Sequence, residues 1–509
     1  MADKTNNIWM SEDPRYSRFG ASYPDYLSAA DKARLERIRQ GRMLFDGRHR
    51  ELFLAEGRTQ FSFREVKKHG GGVCPLYVTT NILRLVAMKA ADLLFGETPL
   101  LASDNPEQHA EIQDIADRSG LHQVVYQAAV DGSVEAEVFL EGIIYDEQVY
   151  IQQVPGEEIS PVGPIMPDGQ YAMFVRRTVE TIAAEDGRAP RTLLLERTYR
   201  AGSIEQACFD VTGGKRVTAN LVEWPAFANA GEDARAPIVN TGIAWNTITW
   251  VPNLMVRRRP VSDFDGVVEL QDTLNAKASQ LSVVILKHAH PRLLVPEQLI
   301  DEGGNLADAE VLVSRQGDAD AKYLTWDAQL DAAMKDRAFV LQQILVQTET
   351  SPVLLGLKEG AAPDAYRKVR LEAFNSLTKA ARRAVYWTEG LRTALTSALM
   401  LNGTLAGKRY DESEISVQLR DGIPQDSLDE ANRLATLITA GVVDDQWCLE
   451  QLLPDPAGVA DVLARVQAKR AAQMPTILLS SEPTDTNAGE DARAPKDTNA
   501  ASAAETENL

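Results

Sequence analysis

Apolar and polar positions change period several times along the chain, and the changes mark its organisation. Up to about residue 130 the period is helical. A charged helix is predicted over 27–40, and Leu83, Val86, Ala87, Ala90 and Leu94 share one face of a helix over 80–94 that Gly96 and Pro99 stop. Two shorter helices follow over 106–118 and 121–130, the second ending at the turn signal Asp131-Gly132. From residue 136 the spacing becomes that of strands: 136–145, 149–154, 171–179, 192–199, 204–211 and 216–222. Asp168-Gly169, Asp186-Gly187 and Gly213-Gly214 punctuate them, which predicts a meander of antiparallel hairpins.

After Pro260 the helical period returns. Val267, Leu270, Leu274, Ala278, Leu281 and Ile285 form an apolar stripe with no Pro or Gly before His290, so a helix over 263–287 is predicted, about 38 Å long. Residues 290–324 are irregular, with strand candidates at 292–295 and 310–314. A second helix over 327–347 stops at Thr348-Glu349-Thr350-Ser351-Pro352. A short Gly-bearing loop, 356–363, precedes the longest helical pattern, 364–401, about 57 Å if straight. Its stripe is predicted as Phe374, Leu377, Ala381, Val385, Thr388, Leu391, Leu395 and Ala398, with Gly390 as a bend. A strand at 415–419, a Gly422-Ile423-Pro424 turn and two or three helices within 427–471 complete the folded part. The last 30 residues are Ser-, Thr-, Asn-, Ala-, Asp- and Glu-rich, which predicts a disordered acidic tail. The fold class expected is α+β.

Composition narrows the function. At 509 residues, 44% hydrophobic and 25% charged, the chain is long enough for several packed units and is neither collagenous nor a disulfide scaffold. A net charge of −20 excludes tight holding of nucleic acid by phosphate neutralisation over the whole surface, although 364–401 is locally basic. Cys74, Cys208 and Cys448 are few, distant and odd in number, so a reducing compartment is expected. No export signal is read in the first residues. The uncharged stretch 236–256 has the length of a membrane span, but Pro237, Asn240, Asn246, Pro252 and Asn253 interrupt it and its Ile, Val, Thr and Trp predict a sheet strand. Asn229 to Pro237 recurs identically as Asn487 to Pro495, both in expected loops.

Chemistry is sparse. Gly403-Thr-Leu-Ala-Gly407-Lys408-Arg409 is one residue short of a P-loop and lacks its Ser/Thr. His288 and His290 have no acidic or Cys neighbour at ligand spacing, so a helix-end or interface pair is expected in place of a metal site. His69 and Cys74 flank a Gly-rich loop, and a buried structural Cys is the expected outcome. Arg257-Arg258-Arg259 is read as a solvated or ion-paired run, and Asp444-Asp445 and Asp263/Asp265 as helix N-terminal charges. No GxSxG, HExxH or GxGxxG occurs, so no enzyme activity and no cofactor are expected.

Order and motif then converge. Asn81 to Gly96 (NILRLVAMKAADLLFG) followed by Glu97-Thr98-Pro99, Asp131-Gly132 before the strands to Val154-Pro155, Val251-Pro252-Asn253, Val261-Ser-Asp-Phe-Asp265 leading into Leu270 to Asn275, Gly422-Ile-Pro-Gln-Asp426, Ala440 to Val443 and Leu452-Leu-Pro-Asp455 stand in sequence over about 81–470. Together they resemble the portal proteins of tailed bacteriophages.

The resemblance implies a portal-like fold: N-terminal helices and a β-hairpin-rich wing (1–255), a first stem helix (256–287), a small mixed clip (288–325), a second stem helix (326–350), a tunnel loop (351–364), a long wing helix and strand (365–420), a helical crown (421–475) and an acidic tail (476–509). It implies a head-to-tail connector ring of about twelve copies at the capsid vertex of the virion, assembled in the host bacterial cytoplasm with no membrane. Double-stranded DNA would pass through it during packaging and ejection, weakly and non-specifically bound. Implied partners are the terminase large subunit, a head–tail adaptor or neck protein, and the major capsid and scaffolding proteins. The other class is a different virion ring, minor capsid protein or head–tail adaptor. Under the resemblance Gly356, Leu357, Lys358, Glu359 and Gly360 would face DNA, and His288, His290, Arg292 and Arg315 would dock the motor or adaptor. Arg367, Lys368, Arg370, Lys379, Arg382 and Arg383 would form a basic helix that meets either DNA or acidic groups of the adjacent subunit.

Overall fold

The computed structural model describes residues 27–55, 77–183, 189–212, 215–227, 231–232, 235–289, 292–296, 311–314, 322–324, 330–357, 366–411, 415–420, 422, 427–452 and 456–473. The chain falls into two compact units, Met1–Asp426 and Ser427–Leu509.

In the first unit α1 (Ala29–Phe45) starts where the Ser28 side chain accepts from the Asp31 amide, and α2 (His49–Ala55) follows. α3 (Ile82–Phe95) is capped by Asn81 and leads to β1 (Leu100–Ser103). α4 (Pro106–Ser119) has an Asn105 cap and a left-handed Gly120 at its end. α5 (Leu121–Glu135) runs through Asp131-Gly132, where the sequence predicted a stop. The Asp131 carboxylate accepts from Gln153 Nε2 at 2.8 Å, so a distant partner takes the group that would otherwise form a local turn.

The expected meander is present. β2 (Glu137–Tyr145) pairs with β3 (Gln148–Val154), and β4 (Ile159–Ile165), β5 (Tyr171–Ile182), β6 (Arg191–Arg200), β7 (Ser203–Asp210) and β8 (Val217–Ala219) follow in antiparallel order. β4 escaped prediction because Pro161, Gly163 and Pro164 hide its alternation. The strand expected over 216–222 shortens to β8, and Leu221–Glu223 forms a single turn capped by Asn220. The uncharged stretch supplies β9 (Ile238–Asn240), on β7, and β10 (Ile248–Pro252), on β2. Among the described residues no helix is long and apolar enough to cross a membrane. Arg257-Arg258 turns the small hairpin of β11 (Met255–Val256) and β12 (Arg259–Pro260).

α6 is Val268–Ala289, so Asp263 lies ahead of it rather than in its first turn. β13 (Arg292–Pro296) pairs parallel with β14 (Val311–Ser314) and antiparallel with β15 (Lys322–Leu324), a strand not anticipated. α7 is Leu330–Gln347. The predicted 364–401 helix is α8 (Tyr366–Glu372) and α9 (Phe374–Ala406), kinked at Ala373, whose amide still donates to Val369 O. β16 (Ile415–Gln418) returns to pair with β1.

Two cores hold these elements together. α9 lies over β10, β2 and β3, burying Trp387, Leu391, Ala394, Leu395 and Ala398 with Val138, Leu140, Val149 and Val251. The stripe predicted for α9 therefore rotates in its first half, because Phe374 and Val385 are exposed while Ala380 and Trp387 are buried. Gly390 is a contact rather than a bend: a Cβ there would stand 2.5 Å from Val251 Cγ2. A second core joins Met43, Leu44, Phe53, Leu83, Phe264, Val267, Leu274, Val340 and Ile344, from α1, α2, α3, the lead-in to α6, α6 and α7.

The second unit holds α10 (Ser427–Thr439), α11 (Asp445–Leu452) and α12 (Pro456–Gln473), with Leu434, Cys448 and Val459 buried. Cys208 is also buried and free. The 476–509 tail, His69, Cys74, the second copy of the repeat and most of 290–324 lie outside the described residues.

Candidate functional site

The segment 358–365 is flanked by a junction of three chain regions, built around one acid. Asn253, just past β10, donates its amide to Ala136 O (2.8 Å) and its Nδ2 to Val261 O (3.0 Å) and Asp263 Oδ1 (3.2 Å). Ser262 Oγ donates to Ser133 O (2.7 Å), and the Asp263 amide donates to the same carbonyl (2.9 Å). These bonds to the end of α5 fix Asp263 before α6 begins.

Two cations from one face of α9 meet it. Lys379 Nζ stands 2.9 Å from Asp263 Oδ1, and Arg383 Nη1 stands 3.7 Å from Oδ2. All three side chains are buried. Burial alone would raise the Asp263 carboxyl, but Lys379, Arg383 and the hydrogen bonds from Lys379 and Asn253 outweigh it and hold it below its ordinary range. Burial pulls the Lys379 ammonium and the Arg383 guanidinium down, against the attraction of Asp263. Two buried cations face one carboxylate, and Arg383 Nη2 donates to Ala129 O at 3.2 Å.

Lys379 also donates to Thr348 O (2.8 Å), the last turn of α7. There the chain reverses. The Thr350 amide donates to Leu345 O (2.8 Å), and Glu349 takes the left-handed conformation (φ 53°) that usually calls for Gly. Ser376 Oγ donates to Glu349 O (3.0 Å) and accepts from the Ser351 amide (2.8 Å), while Arg382 pairs with the Glu349 carboxylate. A cavity of about 10 Å³, room for one water at most, remains between Lys89, Leu93, Thr350, Ser376, Lys379 and Arg383. One turn, Pro352–Leu355, then ends at Gly356 (φ 66°). The junction fixes the geometry of the reversal after α7 against α9 and the lead-in to α6.

The predicted site residues scatter around this junction. Gly356 and exposed Leu357 sit just beyond it, while Lys358, Glu359 and Gly360 lie outside the described residues. His288 is on the last turn of α6 and Arg292 opens β13, with side chains outside the description, as are His290 and Arg315 entirely. Arg367 lies on α8, and Lys368 and Arg370 are exposed there. Lys379 and Arg383, expected to meet DNA or a neighbour, are turned inward onto Asp263, and Arg382 meets Glu349 of its own chain. Sequence reasoning missed Asp263, Ser376 and Thr348. The available signal was the i, i+4 spacing of Lys379 and Arg383, two like charges on one helix face that need a common acid.

α6 and α7, the strands β13 to β15 between them and the long α9 that follows are the elements that carry this junction. Residues 248–476, which contain the junction except its parts from α3 and the end of α5, match the family model described as phage portal protein, SPP1 Gp6-like. The portal resemblance seen in the sequence is thus shown over that span. No curated protein matches the chain. Similar solved chains come from gene transfer agent particles. One is from "Neck of native GTA particle computed with C12 symmetry", at TM-score 0.42 and 12% identity, covering 73% of this chain and 89% of that one. Another is from "Neck of empty GTA particle computed with C6 symmetry", at TM-score 0.41 and 13% identity, covering 76% and 96%. Both likenesses are remote.

Proposed function

We propose that the chain is a phage portal protein, a ring of about twelve copies at the capsid vertex through which double-stranded DNA is packaged and ejected. The observation that carries this is the family match over 248–476, which supports a portal role. The order of parts agrees with it. In this reading α6 and α7 are stem helices, β13–β15 belong to the clip, 351–364 is the tunnel loop, α8 and α9 are the wing helix and α10–α12 the crown. The clip docks the terminase large subunit and later a head–tail adaptor, and capsid and scaffolding proteins surround the ring.

Charge fits the task. DNA must slide, and a wall that neutralised many phosphates would hold it; a chain of net charge −20 avoids this. With Lys379 and Arg383 consumed by Asp263, contacts to DNA fall to Lys358 and to the cations of α8. The Asp263 junction ties stem, tunnel-loop root and wing helix into one mechanical unit.

Mass photometry followed by negative-stain imaging tests the reading. A ring with a central hole, near twelve times the 55.9 kDa of the chain, is expected. A closed dimer or trimer, or a purified chain that hydrolyses ATP or cuts DNA by itself, overturns it.

A further inference from the structure

Where α2 meets α6, a histidine is buried in a chain of hydrogen bonds whose donors and acceptors are all fixed. His49, Gln271, Asn275 and Ser279 are fully buried. The bonding starts at Thr80, whose amide donates to Asn275 Oδ1 (2.9 Å) and whose carbonyl accepts from Gln271 Nε2 (2.7 Å). A backbone N–H only donates and a carbonyl only accepts, so both side-chain amides have one possible orientation. Gln271 Nε2 also donates to Asn275 Oδ1 (3.0 Å), which leaves Asn275 Nδ2 to donate to His49 Nδ1 (2.9 Å) and to the Tyr77 hydroxyl (3.1 Å). Nδ1 is therefore an acceptor. On the other side of the ring Nε2 stands 2.8 Å from Leu44 O and must carry the proton. The imidazole is neutral, with its tautomer set from both ends by backbone groups.

One ring thus joins the end of α1, the start of α2, residues 77–80 and α6, and Ser279 Oγ adds to the tie by accepting from the Val78 amide (2.8 Å). Among the described residues, the titratable groups that these elements bring to the cluster are Tyr77 and Asp272, which bond each other. α2 adds the edge of Phe53, with ring centroids 6.0 Å apart. The nearby charges are engaged elsewhere: Arg48 pairs with Glu51, Lys277 with Asp336, and Arg84 stacks on Phe45. A second proton, on Nδ1, would meet an NH2 group that Thr80 and Gln271 keep from turning over. Burial likewise pushes the imidazole below its ordinary value.

We infer that His49 is an acid-sensitive latch: protonation of Nδ1 breaks its bond to Asn275 and frees α2 and residues 77–80 from α6. The opened segment takes the proton at about pH 6.5, the ordinary histidine value, and the closed one only at lower pH. The latch is therefore complete above about pH 6.5 and weakens as the pH falls below it.

Hydrogen exchange read by mass spectrometry on the full chain tests this. After correction for the intrinsic pH dependence of exchange, protection of the peptide holding Val78 and Thr80 falls about five- to thirtyfold between pH 7.5 and pH 5, relative to peptides of β5 and β6. The upper figure is that of a group titrating at about 6.5 when open and not at all when closed. His49→Gln offers a donor to Leu44 O but has no proton to gain, and its protection ratio stays within about twofold over the same range. A parent ratio that does not change with pH overturns the latch, as does a His49→Gln chain that changes as much as the parent. Exchange of the imidazole C2 proton reads the titration of His49 in the parent itself, whether or not the variant folds. A midpoint below 6.5 is expected there, and one at or above 6.5 overturns the proposal.

Discussion

Lys379 on α9 holds its Nζ 2.9 Å from Asp263 Oδ1 while donating to Thr348 O at 2.8 Å. One ammonium thus joins the lead-in to α6 with the last turn of α7, and the three groups are buried. Arg383 completes the neutralisation from one turn further along α9. Buried ion pairs are costly to make and more costly to break, because the surviving partner stays charged without compensation.

Removing one partner therefore exposes the balance. Lys379→Met leaves Asp263 with the longer Arg383 contact and the Asn253 hydrogen bond, and an expected loss of about 3–5 kcal/mol follows in urea unfolding. Asp263→Asn leaves two cations facing each other and costs at least as much. The double variant is expected to lose less than the sum of the singles, and a double-mutant cycle measures the difference.

Glu135 gives stability an inverse dependence on pH. Burial is the largest influence on its carboxyl; Arg42 opposes it, Asp131 and Glu157 add to it, and the result is a rise to about 7. A folded-state value above the unfolded one means the folded chain keeps a proton that the unfolded chain gives up. The contribution is complete below about pH 4.5 and is lost as pH rises to about 7, by about 3 kcal/mol. Glu135→Gln, locked neutral, is expected to gain on the parent in denaturant midpoint between pH 5 and pH 8. A gap that stays constant with pH would show that Arg42 keeps Glu135 ionised throughout.

Gly390 admits β10 against α9. An added Cβ would lie 2.5 Å from Val251 Cγ2 and 3.3 Å from Cγ1, both on a buried branched side chain that cannot swing aside. Gly390→Ala is expected to lose about 1–3 kcal/mol by overpacking, despite the better helix propensity of Ala. Val251→Ala, added as a second change, should restore part of that loss in thermal unfolding.

Ser376 is the clasp on the reversal after α7. Its hydroxyl serves the Glu349 carbonyl and the Ser351 amide, so Ser376→Ala leaves the buried Ser351 amide and the half-buried Glu349 carbonyl without this partner, at a cost of about 1–3 kcal/mol. Hydrogen exchange reads this locally: the Ser351 amide should exchange faster, with protection in the middle of α5 unchanged.

Much of the chain was legible because its elements carry their own periods. The five-residue face of α3, the helix over 106–118, the hairpins from β5 to β7 and the stripe of α6 through Leu274 and Ala278 are local patterns, and the structure has each of them, although Ile285 at the far end of that stripe is exposed. Where prediction failed, a distant group had changed the local balance. α5 passes its turn signal because Gln153 binds Asp131. The first half of α9 turns its predicted face outward because Asp263 draws Lys379 and Arg383, and β10 draws Gly390, to the opposite side.

The sequence by itself determined most of the helices and the longer strands, their order, and through that order the portal resemblance, but not β4 or β15. A side chain's preference for water or core repeats at the period of its own element, and that record is local. Tertiary structure alone decided that β1 pairs with β16 across more than three hundred residues, and that an apparent helix-start Asp is the buried anchor of α9. It also decided which apolar side chains stay bare. Those outcomes depend on what the folded chain brings opposite each residue, since an ion pair or a strand pair is a property of two distant positions and neither one encodes it alone.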